Sequence, residues 1–286
     1  GNGILRFILI VSFFKIIVFR KKVFKHEYVC FFLMFFIIFF VGLGRGTSFE
    51  LFEISTIIIF ALTAKRSYLG NKTLFNKSTL IKLFVFIIFA LSFFSYNISV
   101  RYGDAIDFFT FENFDKSSVV YSISKPISLV LYNLYGYFLF GLHFTSVVIN
   151  ELFLGSFNGL FSAVVPNGAS LLGIEESEGF LSTYQAFVSR FINIDAMWRP
   201  DSAHIIENFG IFLTFLIIFM FGHYSKMFYK KGKKNLSSLV LLYFIFYFFI
   251  SLPVGGFIYV SSGNQLCIFI ALICYKFNLF PKTLKL

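Results

Sequence analysis

Apolar segments alternate with short lysine clusters along almost the whole chain. Segments 3–19, 28–43, 49–64, 81–99, 209–225, 237–253 and 257–275 are dominated by Phe, Ile, Leu and Val. Each approaches the roughly 20 residues that cross a bilayer. Between them lie the clusters Arg20, Lys21, Lys22 and Lys25; Lys65, Arg66, Lys72, Lys77 and Lys82; Lys226, Lys230, Lys231, Lys233 and Lys234; and Lys276, Lys282 and Lys285. Seven alternating crossings place every lysine cluster on one side, which the positive-inside rule makes cytoplasmic. Arg6 and Lys15, near the two ends of the first segment, are expected to snorkel to the interface. Gly42 to Gly46 forms an outer turn, after which Thr47 or Ser48 can cap the next helix and Glu50 suits its first turn. Pro253, Gly255 and Gly256 predict a second tight outer turn.

The stretch 101–208 breaks this pattern. It holds eleven of the fourteen acidic residues but five of the twenty-five Lys and Arg, a net −6 in a chain of net +11. It is expected to be a large outer loop. Two uncharged runs inside it, 127–149 and 152–174, would form a transmembrane hairpin only with a cytoplasmic turn at Asn150 and Glu151, which lacks any Lys or Arg. Gly136, Gly141, Gly155, Gly159, Pro166 and Gly168 are expected to interrupt both runs, which favours helices that re-enter from, or lie along, the outer face. The predicted fold class is therefore all-α. It is a polytopic membrane protein with about seven transmembrane helices and one large periplasmic or extracellular loop carrying re-entrant or membrane-lying helices. Its regions are 1–100 with about four spans, 101–208 as the external loop and expected seat of any chemistry, and 209–286 with about three spans.

Composition agrees with that reading. Hydrophobic residues make up 58 % and charged residues 14 %, where a soluble domain carries about a quarter charged. Mean hydropathy is +0.82. The basic balance lies in topological clusters, so no nucleic-acid partner is expected. Cys30, Cys267 and Cys274 lie in apolar runs at a spacing that fits neither a metal site nor a disulfide framework. They are expected to be buried, inert thiols. The sequence starts with Gly and has no signal-peptide layout, so a C-terminal piece of a longer membrane protein is expected.

Candidate chemistry concentrates on the outer side. Arg45, between Gly44 and Gly46, could hold a phosphate bidentately, or face lipid phosphate, or pair with Glu50. Arg101 follows directly on a span and suffices as an anchor. Arg190 and Arg199 are the other arginines of the loop. Asp195, Trp198, Arg199, Asp201, His204 and Glu207 cluster just before a span. His204 and Glu207, three apart, share a helix face if the helix starts near Asp201 or Ser202, and could act as base and orienter. The alternative is a polar helix start with Asp201 or Ser202 as N-cap. His26, His143 and His223 offer no such setting. Walker, dinucleotide, CxxC and GxSxG motifs are absent. Intramembrane carboxylates are scarce apart from Glu50 and Glu53, which weighs against a transporter.

Gly44-Arg45-Gly46, the apolar run from Phe52 to Phe60 and the basic loop behind it resemble a signature of bacterial O-antigen and oligosaccharide repeat-unit polymerases, in which Gly-Ser-Arg-Gly opens an apolar helix. Here Gly44 stands where Ser is frequent. The span ending at Ser99, Val100 and Arg101 resembles the family helix leading into the large periplasmic loop. The run 132–142 resembles the early membrane-hugging part of that loop. Glu207, Asn208, Phe209 and Gly210 resemble its exit, although Ile211, Phe212 and Leu213 follow where a second small residue is usual. The likeness covers roughly 30–275. Related O-antigen ligases carry a His-Asn pair in the loop, whereas Ile205 follows His204, which favours a polymerase.

The resemblance implies an inverting, metal-independent glycosyltransferase of the bacterial inner membrane, with no cofactor. It would join undecaprenyl-diphosphate-linked repeat units into surface polysaccharide. Arg45, Arg101, Arg190 and Arg199 would bind the diphosphate, and His204 or Glu207 would be the base. Its partners would be lipid-linked glycans and membrane lipid, with flippase and chain-length regulator proteins as further candidates. The alternatives are an O-antigen ligase-like glycosyltransferase and a polysaccharide transporter or flippase.

Overall fold

A helix that is apolar on every side has no face for water and must be wrapped by other apolar groups. In the computed structural model the segment following the lysine cluster at 226–234 behaves in this way. Leu239, Val240, Tyr243 and Tyr247 are fully buried on it, as are Ser237, Ser238 and Ser251. The structure describes residues 2–19, 25–44, 49–70, 117, 119–123, 125–151, 200–253, 255, 258 and 261–280, with isolated positions between 81 and 93. Among these residues all regular structure is helical: α1 (Asn2–Ile17), α2 (Lys25–Gly44), α3 (Phe49–Tyr68), α4 (Val119–Ile123), α5 (Lys125–Glu151), α6 (Asp201–Gly232), α7 (Leu236–Ser251) and α8 (Ser262–Lys276). The all-α expectation is thus met. The apolar segments predicted at both ends of the chain coincide with α1, α2, α3, α6, α7 and α8. The segment 81–99 lies largely outside the described residues.

The chain divides into two compact units, Gly1–Phe14 with Tyr137–Lys285, and Lys15–Gly136 with Leu286. In the first, α7 is the central element and packs on α6 and α8. Aromatic edges lock these contacts. Phe221 of α6 meets Phe248 of α7 edge-on at 4.9 Å between ring centroids. Phe228 of α6 meets Tyr275 of α8 at 5.5 Å, and Phe14 of α1 meets Tyr243 of α7 at 5.7 Å. The start of α1 lies against α8. A Cβ on Gly3 would stand 2.8 Å from Leu266 Cδ2, and the Cys267 thiol donates to the Gly3 carbonyl at 2.9 Å. The same Cβ would stand 3.0 Å from the Gly263 carbonyl oxygen, so glycine eases the approach of the two helices. Cys267 and Cys274 are buried, and neither forms a disulfide among the described residues.

In the second unit α2 packs on α3. On α3 the buried positions Ile54, Ile57, Phe60, Ala61, Ala64 and Tyr68 recur every three or four residues and include Glu53 and Thr56. On α2 the large exposed residues Val29, Phe32, Leu33, Phe36, Ile37 and Phe40 form the complementary stripe. Such an apolar face is far from what water tolerates.

Three local expectations are corrected. Arg6 is buried, not drawn out to an interface. Its guanidinium reaches Ser261 Oγ at 3.4 Å and lies beside the bare backbone of Gly263, so a polar partner inside the unit replaces water. Gly136 and Gly141 do not interrupt the run 127–149, because α5 continues unbroken from Lys125 to Glu151. Gly141 serves close approach instead: a Cβ there would fall 1.8 Å from the Pro253 carbonyl oxygen. Neither Asp201 nor Ser202 is an N-cap. That position is Pro200, whose carbonyl accepts from the Ala203 and His204 amides. Thr47 and Ser48, the expected caps of α3, lie outside the described residues. At the turn predicted around Pro253, α7 ends at Ser251 and the Gly255 amide returns to the Ser251 carbonyl at 3.2 Å.

Among the described residues one helix, Asp201–Gly232, is long and apolar enough to cross a membrane. The apolar stretches Phe31–Gly42, Leu236–Ser251 and Gly263–Lys276 are shorter.

Candidate functional site

The first two turns of α6 carry an unusual load for an apolar bundle. Asp201, His204, Glu207 and Asn208 are all at least nine-tenths buried. They alternate with Ala203 and Ile206, which form an apolar cluster with Phe144 and Val148 of α5. A polar group buried without a partner costs several kcal/mol, so the sequence can place these residues here only if neighbouring elements supply partners.

Asp201 shows how this is done. Its Oδ2 accepts from the Ser251 hydroxyl at 2.7 Å and from the Ile258 amide at 3.1 Å. The carboxylate therefore ties the start of α6 to the end of α7 and to the lead-in of α8. It also sits in the first turn of α6, where the helix dipole favours negative charge. Ser202 donates to the Leu252 carbonyl at 2.7 Å, and its own amide reaches the same oxygen at 3.3 Å. Thr145 of α5 stands 2.7 Å from the Ser202 hydroxyl. The Thr145 hydroxyl also reaches the Gly141 carbonyl at 2.8 Å, so each hydroxyl of the pair has a backbone carbonyl within reach and either can donate to the other. Four stretches of chain thus converge on Asp201 and Ser202.

One turn further along, Asn208 donates to the His204 carbonyl at 2.6 Å. Its side-chain oxygen is buried and has no partner among the described residues. His204 and Glu207 lie on the covered side of α6 with Asp201 and Asn208. The helix then breaks. Gly210 has φ 68° and ψ 172° inside α6, and Thr214 donates its hydroxyl to the Gly210 carbonyl at 2.7 Å. Hydroxyls commonly satisfy backbone groups released at such a break in apolar surroundings.

Of the residues singled out in the sequence, His204 and Glu207 are both buried in the first two turns of α6. Arg45, Arg101, Arg190 and Arg199 lie outside the described residues. Sequence reasoning missed Thr145 and Ser251, which sit in apolar runs with no local signal. Its alternative, Asp201 or Ser202 as N-cap, fails because the residue types that cap helices are also those that tie elements together. Among the described residues no group of three or more His, Cys, Asp or Glu could hold a metal ion.

No family model, no curated protein and no solved structure matches the chain.

Proposed function

We propose that this chain is a polytopic protein of the bacterial inner membrane that joins undecaprenyl-diphosphate-linked oligosaccharide repeat units. The membrane reading is supported by an inverted distribution of polarity. Large apolar residues such as Phe212, Phe215, Phe219 and Phe269 are exposed, while Arg6, Glu53, Asp201, His204 and Glu207 are buried. The catalytic reading is carried by one observation, the buried cluster of Asp201, His204, Glu207 and Asn208 at the start of α6. That is where the resemblance to repeat-unit polymerases puts the exit from the outer loop.

The chemistry needs few groups. A base, His204 or Glu207, takes the proton of an acceptor hydroxyl. The oxygen attacks the anomeric carbon from the side opposite the diphosphate. The carbon–oxygen bond to the diphosphate breaks and the diphosphate leaves with the electron pair. Arginine forks at Arg45, Arg101, Arg190 and Arg199 would stabilise the charge developing there, which makes a metal unnecessary.

Polysaccharide chain length in cells tests this. Arg45→Lys retains the charge but not the fork and is expected to lose on the order of a hundred- to thousandfold in rate. Of His204→Ala and Glu207→Gln, the variant that removes the base is expected to leave single lipid-linked units on the outer face at normal protein level. Full activity of both variants would remove this segment from the mechanism. Accumulation of units on the inner face would instead identify a transporter.

A further inference from the structure

At the other end of α6, where it meets the start of α7 and the end of α8, the structure holds a cavity of about 620 Å³ lined by Lys230, Lys231, Lys234, Asn235, Tyr275, Lys276 and Asn278. We infer that this cavity binds a phosphate group, and that its source is the headgroup of an anionic phospholipid of the cytoplasmic leaflet. The inference rests on the membrane reading above for the lipid source, but not for the phosphate.

The lining is rich in hydrogen-bond donors, and two of its acceptors, the Tyr275 hydroxyl and the Asn235 side-chain oxygen, are already engaged. Lys231 Nζ donates to the Tyr275 hydroxyl oxygen, so the tyrosine's own proton is left for another acceptor. The ammonium also lies 5.1 Å from the centre of the Tyr275 ring, which fixes it at the wall. The Asn235 side-chain oxygen caps α7 by accepting from the Ser238 amide at 3.2 Å, which leaves its NH₂ group to donate. Asn278 adopts a left-handed conformation, φ 51°. Its amide returns to the Tyr275 carbonyl, and that of Leu279 to Cys274. This αL ending terminates α8 and sets Asn278 beside the ammonium groups.

Among the described residues no carboxylate lines the cavity. From Asn208 onward the sequence contains eight lysines and no acidic residue. Among the described residues Lys230, Lys231, Lys234 and Lys276 have no ion-pair partner. Helix dipoles favour Lys230, Lys231 and Lys276 near the C-termini of α6 and α8. They do not explain a concave wall of donors at the N-terminus of α7, which itself favours an anion. Lysine also suits the ligand, as a point charge on a flexible stem that accommodates headgroups of differing shape. The volume fits a headgroup. Exposed apolar residues occur on the same elements, Met220 and Tyr224 on α6, Leu272 on α8 and Phe277 at its C-cap, as acyl chains require. By the positive-inside rule this end faces the cytoplasm, where anionic lipid attracts basic segments.

The test uses the purified full chain in nanodiscs of phosphatidylcholine, with and without phosphatidylglycerol, and lipid retention read by native mass spectrometry. Lys231→Gln with Lys234→Gln is expected to weaken retention of phosphatidylglycerol on the order of tenfold. Lys226→Gln with Lys233→Gln removes the same charge off the cavity wall and is expected to leave it unchanged. Tyr275→Phe keeps the ring but removes the donated proton, and is expected to weaken retention without lowering the melting temperature. It also covers the case in which the double lysine variant fails to fold. Equal loss in the two lysine pairs, or no loss from Tyr275→Phe, would overturn the inference. Binding of inorganic phosphate in phosphatidylcholine nanodiscs, abolished by Tyr275→Phe, would assign the cavity to a soluble phosphate. Failure to bind either phosphate source would overturn it whatever the topology proves to be.

Discussion

Two glycines of one helix separate the roles that backbone freedom can play. Gly210 sits at φ 68°, ψ 172°, a region that side chains other than hydrogen scarcely visit. Gly222, three turns on, is helical, exposed, and has open space where a Cβ would be. Gly210→Ala is therefore expected to destabilise the protein by about 1–3 kcal/mol. Gly222→Ala is expected to be neutral or to stabilise it by up to about 1 kcal/mol. Thermal unfolding in detergent measures each. Equal midpoints would mean that the break at Gly210 is not a fixed feature of the fold. The break lies two residues beyond Asn208, so Gly210→Ala should also misplace the buried polar residues, and the proposed polymerisation should fall further than stability alone explains.

At the scale of elements, the junction of α5, α6 and α7 is held by small residues and hydroxyls. Gly141 faces the Pro253 carbonyl, Thr145 meets Ser202, and Ser251 meets Asp201. A methyl on Gly141 would have to push backbone, which yields far less than a side chain. Gly141→Ala is expected to cost about 3 kcal/mol. It should show as a lower melting temperature and a poorer yield of monodisperse protein on gel filtration. A wild-type melting temperature would mean that α5 does not approach the α7 turn so closely. The same junction explains why α7 tolerates buried serines. Ser251 is satisfied by Asp201 and by the Phe248 carbonyl at 3.0 Å, and its removal would expose the carboxylate's cost.

For the whole molecule the governing expectation is topology. With the native cysteines Cys30, Cys267 and Cys274 replaced, single cysteines at Ser117 and at Lys226, both exposed, are expected to react oppositely with a membrane-impermeant reagent in intact cells. Ser117→Cys should label and Lys226→Cys should not. Equal labelling at both would undo the arrangement of spans, the outer position of 101–208 and the cytoplasmic position of the basic cavity together.

The sequence by itself determined the helical class, because long apolar runs bounded by glycine, proline and lysine leave a chain few other ways to satisfy its backbone. It also marked His204 and Glu207, since a helix repeat fixes which residues share a face. Local pattern could not determine the partners. Ser251 reaches Asp201 across fifty residues, and Arg6 reaches Ser261 across two hundred and fifty-five. Glycines that read as interruptions in α5 became points of contact, and capping residue types became ties between helices. Those roles depend on which surface each residue meets, and only tertiary packing decides that. The basic cavity shows the same division. Its lysines were plain in the sequence as a topological signal. That they line a concave wall with Asn235 and Tyr275 follows from how α6, α7 and α8 end beside one another.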